Sequence, residues 1–401
     1  MSAHVEFGGS TAGRTVQCPG WHTFRKLVPP GGSSEAAELG TALHTVMEEI
    51  MGLEEGSNAA LAGYLTHLLE REVNGIKITP ALIDDKVIPA YNALNMLFAT
   101  YDVGLYEAEV AVRMMVDTGG TADVLAISAD GKTAICADFK FGDGVMVYPD
   151  DNPQAMFYYA AAETTEPWAD DLNDVETVVL AIIQPTDRND DPTLKVWETT
   201  PKHIAAFVGR YVAQRAKALS AMDAFDKSAE LPDESIVQAG EYCKFCPAMA
   251  ICPRKTGLYE QAVRMDTTML GELGKALTLT YEIEEWIDSV RKLAHTQMDR
   301  GDQVPGFKLV NKRATRRWRD TDAIEAALKK QRKVKFDESH ATTLLTPPAL
   351  EKVFKHKGVD FEKFGEYIES HSSGTTIATE DDKRATAVSL LALQALAART
   401  A

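Results

Sequence analysis

The run TAICADFKFG, residues 133–142, sets an apolar strand, an Asp-x-Lys pair and a closing glycine in ten consecutive positions. Side chains alternate across a strand, so Asp138 and Lys140 point to the same face. Upstream, YEAEVAVRMMV (106–116) and TADVLAIS (121–128) alternate or run apolar, with the turn signals DTGG (117–120) and ADGK (129–132) between the strands. The three segments read as an antiparallel meander, which brings Asp123 beside Asp138. Two carboxylates and a lysine crowded on one face repel and desolvate one another unless a cation joins them. Oxygen donors with open positions suit Mg²⁺ or Mn²⁺. An isolated Asp-x-Lys is more often a surface salt bridge, so the surroundings decide.

Downstream, DNPQAMFYYAAAE (151–163) reads as a helix capped by Asp151 or Asn152, with Pro153 in its first turn. VETVVLAIIQP (175–185) reads as another strand and PKHIAAFVGRYVAQRAKALSAMDA (201–224) as a long helix. The first ~100 residues are helical in pattern: SSEAAELGTALHTVMEEIMGLEE (33–55) opens on a serine cap, and NAALAGYLTHLLEREV (58–73) and PALIDDKVIPAYNALNMLFATY (80–101) follow. Past Lys255, MLGELGKALTLTYEIEEWIDSVRKLAHTQMDRG (269–301) is a long amphipathic helix, and shorter pieces follow. The expected organisation is a domain over residues 1–256 and a mainly helical region over 257–401.

The chain has 401 residues, 45% hydrophobic and 25% charged, as in ordinary globular proteins. The apolar run 387–398 is too short to span a bilayer and reads as a packed helix; with no signal-peptide pattern at the start, no membrane partner is expected. Five cysteines, three of them clustered, point away from a disulfide scaffold and toward a reducing cytoplasm. A net charge of −17 disfavours nonspecific coating of nucleic acid. Yet the stretch 308–335 holds 11 Lys or Arg against three acids.

Three motifs together carry a resemblance: Gly120-Thr-Ala-Asp123, Asp138-Phe-Lys140, and Gln154-Ala-Met-Phe-Tyr158. The pattern resembles the RecB-type branch of the PD-(D/E)XK nucleases, and Gly40 to His44 (GTALH) matches that branch's upstream histidine motif. The resemblance implies an α/β fold with a restriction-endonuclease-like core, a mixed central sheet flanked by helices. It also implies that His44, Asp123 and Asp138, with the Phe139 carbonyl, hold Mg²⁺ or Mn²⁺. Lys140 would position and activate water, and Gln154 and Tyr158 would contact DNA or buttress the lysine. Glu109, on the first strand, is a further candidate, with Glu107 and Glu48 competing for that role.

EYCKFCPAMAICPRK (241–255) spaces Cys243, Cys246 and Cys252 as C-x2-C-x5-C, and Cys18 stands far upstream in TVQCPGWHTF. A subset of the same branch, including the AddB subunit, carries this order of cysteines around a [4Fe-4S] cluster. The resemblance therefore implies an iron–sulfur staple joining Cys18 to the other three. A structural Zn²⁺ on the same thiolates, or with His22 replacing one, is the alternative. Cys136 reads as a small core residue.

In GFKLVNKRATRRWRD (306–320), Arg313, Arg316, Arg317 and Trp318 combine charge with an aromatic, as phosphate contact and base stacking require. A solvated strand edge is an equal reading. Over most of its length the chain also resembles an uncharacterised phage and prophage family.

The implied function is a metal-dependent DNA exonuclease of phage replication or recombination, acting on linear or single-stranded ends in the host bacterial cytoplasm. A phage single-strand-binding or annealing protein is a candidate partner. Two alternatives stand beside it: a non-catalytic DNA-end-binding or assembly factor, and an endonuclease active only within a partner complex.

Overall fold

The structure is a computed structural model whose described residues are 6–30, 34–53, 58–186, 191–330, 339, 344–371, 374–379 and 382–387. Contacts divide the chain into two compact units, Met1–Ile283 and Glu284–Ala401. The boundary expected near residue 257 falls inside the first of these. Most of the run 387–398, expected as a helix, lies outside the described residues. Among the described residues, no helix is long and apolar enough to cross a membrane.

The first unit opens with strand β1 (Phe7–Gly8) and helices α1 (Gly9–Gln17), α2 (Trp21–Arg25), α3 (Glu35–Met51) and α4 (Asn58–Leu68). A small ribbon, β2 (Glu72–Val73) and β3 (Ile76–Lys77), leads to α5 (Pro80–Leu82), a π-helical turn Ile83–Val87 and α6 (Ile88–Thr100). The meander follows as β4 (Val103–Met115), β5 (Thr118–Ser128) and β6 (Thr133–Phe139). After it come α7 (Pro153–Ala162), α8 (Trp168–Asp171), β7 (Thr177–Ile183), β8 (Leu194–Thr199), α9 (Pro201–Ser228), α10 (Pro253–Val263) and the start of α11 (Leu270–Asp299).

The central sheet is mixed. Strands β4, β5 and β6 pair antiparallel, as the turn signals require, while β6 and β7 pair parallel and β7 and β8 antiparallel. The short β1 adds parallel to the start of β5, with Phe7 opposite Thr118 and Gly8 opposite Gly119. Since β4 runs the length of β5, β1 and β6 share the other edge, and β6 pairs only with Val124–Ile127. Between them, no strand among the described residues pairs with residues 120–123 of β5 on that edge.

Both faces of β6 are buried. Ala134 and Cys136 pack with the layer of α1, α7 and α9, and Ile135, Ala137 and Phe139 with the layer of α3 and α6. This explains a strand that reads almost continuously apolar, and Cys136 is fully enclosed. The chain therefore has a mixed α/β architecture, a central sheet with helices on both sides.

The second unit continues α11 and adds β9 (Phe307–Asn311), β10 (Thr315–Trp318), α12 (Thr321–Lys329), α13 (Pro347–His356), β11 (Ile368–His371) and β12 (Thr375–Thr379). Strand β9 pairs with β12 and β10 with β11, so the region expected to be mainly helical also holds two antiparallel ribbons. Its apolar centre is Ile324, Leu328, Leu350, Phe354 and Phe364.

Candidate metal and cysteine centres

The Asp-x-Lys pair ends β6. The Lys140 ammonium lies 2.6 Å from Asp138 Oδ2 and donates to Gln154 Oε1 at 3.2 Å. Gln154 in turn donates through Nε2 to Asp138 Oδ1 at 3.1 Å, closing a three-membered network between β6 and α7. Gln154 reaches it because Asn152 caps α7, accepting from the Gln154 and Ala155 N–H groups, with Pro153 in the first turn. Burial works against the Lys140 charge, but the Asp138 carboxylate beside it outweighs this and holds the lysine pKa above its usual value. Burial also lifts the Asp138 carboxyl; Lys140 opposes that rise and the neighbouring Asp123 adds to it.

Asp123 lies in the unpartnered interval of β5. Its Oδ2 accepts the Phe139 N–H at 2.7 Å and stands 3.4 Å from His44 Nδ1. His44 projects from α3, its ring edge-on to Phe139 and Phe141. Burial lowers the pKa of His44, but its bond to Asp123 and the charges of Asp123 and Asp138 raise it further, so the net shift is upward.

Glu109 completes a group in which one donor atom each from His44, Glu109 and Asp123 lie within 4.8 Å of one another. It stands between the paired residues Ala108 and Val110 with φ of 51°, a rare conformation for a non-glycine residue. The alternation of both strands slips there. Tyr106 and Val124 pack toward α3 and α6, whereas Val110 and Ala122 pack toward α7 and α9. This kink carries Glu109 to the site with Asp123. Burial, then the charge of Asp123, pushes its carboxyl up to about 7. Of the competitors, Glu107 accepts the Trp168 indole N–H at 2.8 Å, and neither Glu107 nor Glu48 belongs to the donor group. Asp138 is also outside it, with its oxygens directed to Lys140 and Gln154.

Tyr158 is one turn beyond Gln154, its ring wedged between backbone segments. A Cβ at Gly120 would lie 2.9 Å from the ring, and one at Gly9 would overlap it. Glycine is required at both positions by this close approach.

Sequence reading passed over the residues that hold the loop after Lys140. Gln184 donates to the carbonyls of Gly142 and Val145 and accepts from the Val147 N–H. Buried Lys86, in the π-helical turn, bonds Asp143 and the Pro185 carbonyl, and Lys195 bonds the Val147 carbonyl. A polar Gln184 closing the apolar strand VETVVLAII was the available signal.

Cys18, Cys243, Cys246 and Cys252 line one cavity, together with Arg14, Trp21, Tyr242 and Lys255. Backbone N–H groups point at two of the sulfurs, Gln238 to Cys18 Sγ at 3.4 Å and Gly240 to Cys243 Sγ at 3.3 Å. Burial pushes the Cys18 thiol up to about 11 and raises Cys243 and Cys246 as well. His22 is no substitute ligand: its Nδ1 bonds Glu6 and its Nε2 bonds Thr15, each at 2.9 Å.

In the second unit, Arg316 pairs with Glu351, and the Trp318 indole donates to the Leu345 carbonyl at 2.8 Å while its ring packs against the apolar centre. Arg313 is exposed. The Arg317 side chain and residues 331–338 of the basic stretch lie outside the described residues.

The family model described as "Protein of unknown function (DUF2800)" matches residues 4–385. Among solved structures, an alkaline exonuclease from Laribacter hongkongensis aligns at 11% identity and a TM-score of 0.22, over 48% of this chain and 96% of that one. A protein described as an exonuclease, from Eubacterium rectale, aligns at 10% identity and a TM-score of 0.31, over 54% and 82%. Scores this low leave the fold to be described from the chain itself.

Proposed function

The chain belongs to the DUF2800 family, and we propose that it is a metal-dependent deoxyribonuclease of the RecB-like PD-(D/E)XK type, acting on DNA ends in phage replication or recombination. The observation that carries this reading is the donor group of His44, Glu109 and Asp123 beside the Asp138–Lys140–Gln154 network. One imidazole and two carboxylates suit a hard divalent cation. The buried Oδ2 of Asp138 lies 2.6 Å from the Lys140 ammonium, next to that group. His44, Glu109 and Asp123 would hold the ion, and the sequence resemblance adds Asp138 and the Phe139 carbonyl.

Bound Mg²⁺ or Mn²⁺ supplies Lewis acidity toward a phosphodiester oxygen and lowers a water pKa from about 15.7 toward neutrality. The residues do the rest. Lys140, kept charged by Asp138, donates hydrogen bonds that orient the attacking water and offset charge developing on the phosphate. Gln154 fixes the lysine and Asp138 together, so that neither drifts from the end of β6. Linear DNA incubated with Mg²⁺, Mn²⁺ or EDTA tests the reading: cleavage with either metal and none in EDTA is expected, and cleavage in EDTA contradicts it.

The four cysteines would hold a [4Fe-4S] cluster that ties α1 to the segment after α9. A structural Zn²⁺ on the same four thiolates is the alternative.

A further inference from the structure

The cysteine cavity is lined by two cations, Arg14 and Lys255, and among the described residues by no carboxylate. Helices that adjoin the cysteines place both of them. Arg14 stands in the last turn of α1, and the Cys18 N–H donates to its carbonyl at 2.8 Å, so the two residues are one turn apart. Lys255 stands in the first turn of α10, whose N-cap is Cys252. The rest of the wall is mostly apolar, Trp21, Phe24, Val237 and Met249 among it.

The two cations differ in how their charge is balanced. Lys255 is 3% exposed, and its ammonium donates to Glu282 Oε2 at 2.8 Å. Arg14 is half-buried and makes no ion pair among the described residues. Its guanidinium donates to the Phe245 carbonyl at 3.0 Å and lies 4.6 Å from the centre of the Trp21 ring, and neither group carries a charge. Burial lowers the Arg14 pKa, and the charges that oppose this come from Cys246, Cys243 and Cys18. A cation drawn out of water is costly without a counter-charge, so the wall of this cavity calls for an anion inside it.

The cysteines supply that anion once they hold metal. Four thiolates around a zinc ion, or around an oxidised [4Fe-4S] core, leave a net negative charge in either case. Against an apolar wall such a charge is poorly screened, and a neighbouring cation counts for more than it would at the surface.

We propose that Arg14 is the counter-ion of the metal-loaded cysteine centre, with Lys255 as a second positive charge that Glu282 holds in check. The assignment rests on reading the four cysteines as a metal centre. Arg14 acts through its charge and not as a ligand, and its effect is that metal leaves the centre slowly.

The test is release of metal into excess EDTA from the full chain purified without oxygen, with iron and zinc both measured. Arg14→Gln keeps a donor for the Phe245 carbonyl and removes the charge; release should be about tenfold faster. Arg14→Lys keeps the charge and should release metal at close to the wild-type rate. Glu282→Gln leaves the Lys255 charge unopposed and should slow release, the opposite of what losing a structural contact would do. Unchanged release in Arg14→Gln, equally fast release in Arg14→Gln and Arg14→Lys, or release no slower in Glu282→Gln overturns the counter-ion. If wild type carries neither iron nor zinc, the metal-centre reading falls and the counter-ion with it. If the expected order of rates appears with zinc alone, the counter-ion stands and the iron–sulfur reading falls.

Discussion

Glu109 occupies a left-handed backbone position opposite Asp123, a strained placement that brings a third donor to His44. If the three share a cation, Glu109→Gln should weaken Mn²⁺ binding at least about tenfold by titration calorimetry, with the melting temperature little changed; unaltered Mn²⁺ affinity would remove Glu109 from the site. Beside it, the Tyr158 ring allows no Cβ at Gly120, so Gly120→Ala should lower unfolding stability by about 1–3 kcal/mol in denaturant titration, and a neutral result would mean the ring moves freely. The shared face of Asp138 and Lys140 was legible in the sequence, because i,i+2 on a strand fixes direction locally, whereas Gln154 beside the lysine was implied only by the nuclease resemblance. The φ of Glu109 was not legible: it follows from a slip in two paired strands that no local pattern records. Trp318 was also opaque, since an exposed base-stacking tryptophan and one tethered to the Leu345 carbonyl have the same neighbours in sequence.

At the scale of elements, α3 presents His44 and also carries Gly40, where an added Cβ would meet nothing within 4 Å. Helix propensity alone then predicts that Gly40→Ala raises stability by about 0.5–1 kcal/mol. The midpoint of urea unfolding checks this, and a lower midpoint would mean that the glycine relieves a contact absent from the described residues. The meander, α3, α7 and α9 were legible because turn residues, caps and period agree over their length. The two-residue pairing of β1 with β5, and the ribbons β9–β12 and β10–β11, join segments far apart in the chain. Such pairings are set by tertiary packing, which a local reading of hydrophobic period does not reach.

Across the whole molecule, the longest-range feature read from the sequence is the convergence of Cys18 with Cys243, Cys246 and Cys252 on one cavity. Protein prepared without oxygen should be brown and contain iron, and Cys18→Ala should lose the metal as fully as Cys246→Ala. Colourless protein with one zinc per chain, or full iron retention in Cys18→Ala, would overturn the cluster. The division at Ile283 was less legible than the site, because α11 runs through it without a break in pattern. The central claim is that this α/β unit cuts DNA with Lys140 at its chemical centre. The most direct measurement compares wild type with Lys140→Ala on end-labelled linear and closed circular DNA, with Mg²⁺ or Mn²⁺. Wild type should shorten the linear substrate and spare the circles, with Lys140→Ala slower by about 10²–10⁴-fold; equal activity of the two proteins, or none in wild type, would contradict it.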